Sequence, residues 1–128
     1  MACMFSKPTF MITRLINLLP ILSLCIGGWA ILNGVLHDAF ILAQGRKYDR
    51  DLLRLLMDGH ILITCGAIQI LAWKGIQQNQ SYGYYMAGVA TLSLLVYCAM
   101  IYPFLKSFGI FTLNLAYLFI LILAFFKK

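Results

Sequence analysis

Four stretches of about twenty residues, nearly free of charge, fill most of this chain, at residues 15–36, 54–73, 83–102 and 108–126. A helix rises about 1.5 Å per residue, so roughly 20 residues cover the ~30 Å hydrocarbon core of a bilayer. Inside that core no water is on hand to satisfy peptide groups, and a helix satisfies its own. Of the 128 residues, 62% are hydrophobic and 11% charged, with mean hydropathy +0.89. A soluble domain of that size and composition would expose extensive apolar surface to water. The sequence therefore predicts an all-α integral membrane protein: one transmembrane domain in the lipid bilayer, folded as an up-down-up-down bundle of four helices.

The second stretch fixes one boundary by its shortness. Between His60 and Lys74 lie 13 residues, which as a helix reach only about 20 Å. The helix must begin upstream, with Arg54, Asp58 and His60 in its first turns. Residues 37–53 then form a polar connection whose core is Gly45-Arg46-Lys47-Tyr48-Asp49-Arg50-Asp51, and Asp49 or Asp51 suits the N-cap. Pro20 falls in the early turns of the first helix, where proline is tolerated. Residues 77–81 read as a turn, Pro103 as the stop of the third helix, and Lys106-Ser107 as the return into the fourth. The first stretch is longer than a signal-peptide core and has no A-x-A site after it, so the expectation is that it is retained.

The net charge of +6 could suggest nucleic acid, but the ten Lys and Arg flank the apolar stretches, as headgroup anchors do. Nucleic acid is not an expected partner. With four crossings, Lys7, Arg14, Lys74, Lys127 and Lys128 share one side, and Arg46, Lys47, Arg50, Arg54 and Lys106 the other. With five positive charges on each side, the positive-inside rule favours neither orientation. The weight usually carried by the first helix favours both termini in the cytoplasm, and the compact chain suits a bacterial inner membrane.

Ionisable groups near an apolar span are costly, so they are the first functional candidates. Arg54 stands four residues before Asp58 and three after Asp51, spacings at which helical side chains meet and neutralise each other. Trp29, Asn33 and His37 form a stripe at steps of four on the first helix. Because one connection joins the first two helices, His37, Arg54, Asp58 and His60 are expected near one mouth of the bundle, with Asn33 and Trp29 below them. That group is the candidate ligand- or partner-binding site. Two histidines at similar depth raise haem b through His37 and His60 as an alternative cofactor. The spacing supplies no further ligand, and the principal expectation is no cofactor and no metal. Cys25, Cys65 and Cys98 lie in separate stretches without paired spacing, as small apolar residues would. Asn17, Gln69, Asn114, Tyr97 and Tyr117 read as polar contacts between helices. No nucleophile has a visible base beside it, so no catalytic residue is expected and the reading leans away from an enzyme.

The layout resembles the DoxX-like group of small four-span bacterial membrane proteins. The resemblance rests on the glycine-bearing first helix (Gly27-Gly28, Gly34), the polar connection, and a second helix opening Leu52-Leu53-Arg54-Leu55-Leu56-Met57-Asp58-Gly59 and running to Gly66. It covers about the first 75 residues and implies a four-helix bundle acting as an accessory subunit or a binder of apolar molecules. The expected function is thus a non-catalytic membrane protein that receives an amphipathic small molecule or a protein partner at the bundle mouth. The alternatives are a small homo-oligomeric transporter or pore, and a haem-binding redox subunit.

Overall fold

The structure is a computed structural model; it describes the backbone of residues 6–102 and 108–127 and the side chains of residues 12–102 and 108–127. Within them the chain is helical: α1 (Ser6–Ala43), α2 (Arg50–Gln77), α3 (Ser81–Ile101) and α4 (Phe108–Lys127). All four are long and apolar enough to cross a membrane. Pro103, Lys106, Ser107 and Lys128 lie outside the described residues.

Two boundaries differ from the sequence expectation. The 38 residues of α1 continue through His37 and Asp38 to Ala43, so the non-helical connection shrinks from 37–53 to 44–49. The reason is local. Phe40-Ile41-Leu42-Ala43 contains no helix breaker, and the first residue that can reverse the chain cheaply is Gly45, at φ +61. A left-handed residue at that place closes a helix end, and glycine has no Cβ to object. Extending α1 at its start also places Pro20 well inside the helix rather than in its early turns. There the missing N–H leaves the Ile16 carbonyl without its intrahelical donor. The start of α2 follows the sequence reading: Asp49 is extended and its carboxylate accepts from the Leu52 amide at 2.8 Å. Arg54, Asp58 and His60 all lie within the helix.

The turn between α2 and α3 is built on Asn79, at φ +54. Its amide donates to the Ile76 carbonyl at 2.9 Å and that of Gln80 to the Gly75 carbonyl at 2.8 Å. This bond pair terminates helices, and asparagine ranks next to glycine in tolerating the conformation. The Asn79 side chain also accepts from the Tyr84 hydroxyl at 3.1 Å.

The α1–α2 contact is the most extensive among the described residues, and glycines make it close. Gly27 faces Gly66 and Gly34 faces Gly59. A Cβ on Gly27 would stand 2.8 Å from the Gly66 carbonyl oxygen, and one on Gly66 would stand 2.6 Å from that of Gly27. One more step in this register pairs Ile41 with Leu52, both buried. Each step is seven residues forward on α1 and seven back on α2, so the two helices run in opposite directions. A seven-residue period keeps one stripe of a helix against its neighbour over several turns. Gly75 and Gly83 repeat the close approach where α2 meets α3.

The remaining helices complete a ring. α3 packs on α2 and α4 on α3, while α4 returns to α1 through the sparsest of these contacts. On α4 the buried face is Asn114, Tyr117, Leu121 and Ala124, spaced by three and four as one helical stripe must be. Lys127 donates to the Thr13 hydroxyl at 2.8 Å, tying the end of α4 to the beginning of α1. At 1.5 Å per residue α1 and α2 measure about 57 and 42 Å, against about 30 Å for α3 and α4. Ile101, the last residue of α3, lines the same cavity as His37. Past that level, among the described helices, α1 and α2 continue as a hairpin. All four acids of the chain lie between residues 38 and 58.

The seam predicts opposite outcomes for two glycines. Gly66→Ala should lower unfolding stability by about 1–3 kcal/mol, because the opposing backbone must move. Gly28→Ala has no atom within 4 Å of its new methyl and should gain up to about 1 kcal/mol in helix propensity. Thermal unfolding of both variants in detergent checks the pair; equal effects would refute the seam.

Candidate functional site

A cavity that carries polar groups lies between α1, α3 and α4, where the ring is least tightly closed. It has two lobes. The outer one, about 180 Å³, is lined by Trp29, Asn33, His37, Leu62, Tyr97 and Cys98 among others. The inner one, about 270 Å³, is bounded by Leu22, Cys25, Ile26, Leu113 and Asn114. Trp29 and Ile110 belong to both walls, so the lobes adjoin along α1. A larger groove of about 480 Å³ separates α3 from α4, but its lining, including Tyr85, Leu92, Leu118 and Phe125, is almost wholly apolar. Ligand sites combine apolar walls with a few placed polar groups, as the α1–α3–α4 cleft does; a further cavity of about 200 Å³, lined by Ile16 and Ala124 with Thr13, Asn79, Tyr84 and Lys127, lies between the α2–α3 turn, the start of α1 and the end of α4.

Three polar groups of the outer lobe, Asn33, His37 and Tyr97, have bonding capacity left among the described residues. Asn33 donates its amide nitrogen to the Trp29 carbonyl at 2.9 Å, one turn back on its own helix, so its oxygen remains an acceptor. The Tyr97 hydroxyl makes no hydrogen bond among the described residues. The His37 Nδ1 lies 3.4 Å from an Asp38 carboxylate oxygen, leaving its other ring nitrogen uncommitted.

The candidates therefore separate. Trp29, Asn33 and His37 come together on the cleft wall, as the stripe at steps of four required. Arg54 does not join them. It turns to Asp51 at 3.9 Å, and the two side chains are 72% and 85% exposed, a pairing of little energetic consequence. Asp58 is half-buried, makes no hydrogen bond or ion pair among the described residues, and acts electrostatically on Tyr97 of α3. It lies one turn before Leu62, which lines the cleft. His60 is exposed. Two residues along a helix turn it by about 200°, so His60 and Asp58 leave α2 on opposite sides. His37 lines the outer lobe, and His60 is not among its walls. Among the described residues no three His, Cys, Asp or Glu side chains gather as a metal site.

Of two further features, the first has no counterpart in the sequence reading, while in the second Gln69 is the interhelical contact the sequence predicts and Ser23 and Thr91 are the partners it does not name. Asp38 packs its carboxylate directly against Gly59, in the only space a missing side chain leaves there. Below the cleft a polar layer crosses the interior: Ser23 donates to the Gln69 carbonyl at 2.9 Å, and the Gln69 amide nitrogen donates to the Thr91 hydroxyl at 3.3 Å. These bonds link α1, α2 and α3. Asn114 instead spends its nitrogen on Ile110 of its own helix, at 3.0 Å. The side-chain oxygens of Gln69 and Asn114 are buried without hydrogen-bond partners among the described residues, and the buried Tyr117 hydroxyl lies beside Ser23. Asn17, expected as an interhelical contact, is exposed.

No protein-family model, curated protein or solved structure matches this chain. The site must be read from its own geometry.

An unpartnered buried oxygen costs about 1–3 kcal/mol. Asn114→Leu, which removes one at similar volume, should therefore leave the unfolding temperature unchanged or raise it. A fall equivalent to more than about 1 kcal/mol, measured by differential scanning fluorimetry, would mean that the amide has a partner.

Proposed function

We propose that this chain is a non-catalytic integral membrane protein that binds an amphipathic small molecule in the cleft between α1, α3 and α4. In this reading the four helices cross the bilayer up-down-up-down, with both termini on the cytoplasmic side of a bacterial inner membrane. The ligand's apolar body lies along the inner lobe, and its polar end meets Asn33, His37 and Tyr97. The observation that carries the reading is the convergence of these three groups, each with unused hydrogen-bonding capacity, on walls that are otherwise apolar. The role as a binder or accessory subunit agrees with what the likeness to DoxX-like proteins implies.

Two measurements test it. Single cysteines at Tyr48 and Gln78 should label with an impermeant maleimide from opposite sides of sealed vesicles; labelling from one side would overturn the topology. Binding is read from Trp29, which becomes the sole tryptophan in a Trp73→Phe background. Titration with dodecanol in nanodiscs should change its emission saturably, and Asn33→Phe, which fills the outer lobe, should abolish saturation. An unsaturable change identical in both proteins would mean simple partitioning into lipid and sink the reading.

A further inference from the structure

The electrostatics of the outer lobe narrow the ligand class. We infer that the cleft selects a cationic amphiphile, an ammonium head held against Trp29, Asn33 and Tyr97 and facing the carboxylate of Asp58, with its chain in the lobe that reaches Asn114. The inference rests on the cleft being a binding site, as proposed above.

Four observations carry it. The first is the unspent carboxylate: Asp58 has no hydrogen bond or ion pair among the described residues, though Arg54 stands one turn away on the same face. Arg54 is directed to Asp51 and to solvent instead. The second is placement. Asp58 precedes Leu62 by one turn, and Leu62 and Tyr97 are both walls of the lobe. The third is the aromatic surface: Trp29 and Tyr97 line the same lobe, and their ring faces attract cations, tryptophan most strongly. The fourth is what the wall lacks. Among the described residues no lysine or arginine lines either lobe, and the one titratable base there, His37, lies beside Asp38. An anionic head would meet the Asn33 and Tyr97 oxygens, with Asp58 one turn from the wall and no lysine or arginine among the described lining residues to receive it. A cationic head meets the same oxygens and the aromatic faces of Trp29 and Tyr97 favourably. Apolar walls and partial burial weaken solvent screening, so the charge preference is larger than it would be on an open surface.

The probes are dodecyltrimethylammonium, dodecanol and dodecyl sulfate, equal in chain and different in head charge. They are titrated below their micellar concentrations into the Trp73→Phe protein in phosphatidylcholine nanodiscs, with Trp29 emission as the readout. The ammonium should saturate the signal at about tenfold lower concentration than dodecanol, and the sulfate should not saturate it. Asp58→Asn should bring the ammonium to within about twofold of dodecanol and leave dodecanol itself unchanged. Because Asp58 makes no bond that folding depends on, this variant should keep the parent's unfolding temperature. Asp51→Asn, an exposed acid outside the cleft, should preserve the cation preference; its loss there would assign the effect to general surface charge and overturn the inference. Saturation by the sulfate at the ammonium's concentration, or an intact preference in Asp58→Asn, would likewise overturn it, while dodecanol saturation would leave the binding cleft standing. If no probe saturates, dodecanol included, the cleft is not a binding site and both readings fall.

Discussion

The approach of α1 to α2 governs the rest of the structure. Helices in lipid gain nothing from hiding apolar side chains from an equally apolar solvent, so they associate through close packing and a few polar bonds. Gly27, Gly34, Gly59 and Gly66 allow this pair to pack backbone against backbone. Everything else is added to that hairpin. α3 docks through a second glycine contact at Gly75 and Gly83, and α4 closes the ring with its single buried stripe. The looser closure of α4 on α1 is what leaves a cleft beside Trp29 and Asn33.

The polar layer is a weaker constraint than its burial suggests. Interhelical hydrogen bonds in membranes are worth about 0.6 kcal/mol on average, while each buried oxygen left unpaired costs about 1–3 kcal/mol. With Gln69 and Asn114 each holding such an oxygen among the described residues, the layer does not hold the bundle together. It fixes rotation: Ser23, Gln69 and Thr91 can meet only when three helices face inward in one way.

Helix number and the entry into α2 are legible in the sequence because they follow from lengths: a 13-residue run cannot cover a bilayer, and a short acid ahead of it makes an N-cap. The end of α1 is not legible, because polarity at His37 and Asp38 suggests a boundary while only a backbone feature, Gly45, ends the helix. Half of the site is visible for an equally simple reason. Trp29, Asn33 and His37 are four apart and share a face, while Asp58 and His60 are two apart and cannot. Arg54 has two acids within reach, and spacing alone does not say that it chooses Asp51. The place of Tyr97 in the cleft carries no signal in the sequence, since it depends on α3 standing across from α1. The seven-residue step from Gly59 to Gly66 is visible, but its partner step from Gly27 to Gly34 acquires meaning only once the two are laid antiparallel.

Gly34 and Gly59 are chain neighbours of Asn33 and Asp58, one on each side of the seam. One of the two glycine contacts of the α1–α2 seam is thus also the pivot from which the cleft's amide and its nearest unpaired carboxylate are suspended. A methyl group added at that pivot would wedge the helices and carry the two side chains with them, changing their separation without touching either. Durability and the geometry of the cleft are therefore mechanically linked in this molecule. Any change that loosens the pair of helices is also a change in the spacing of these two polar groups.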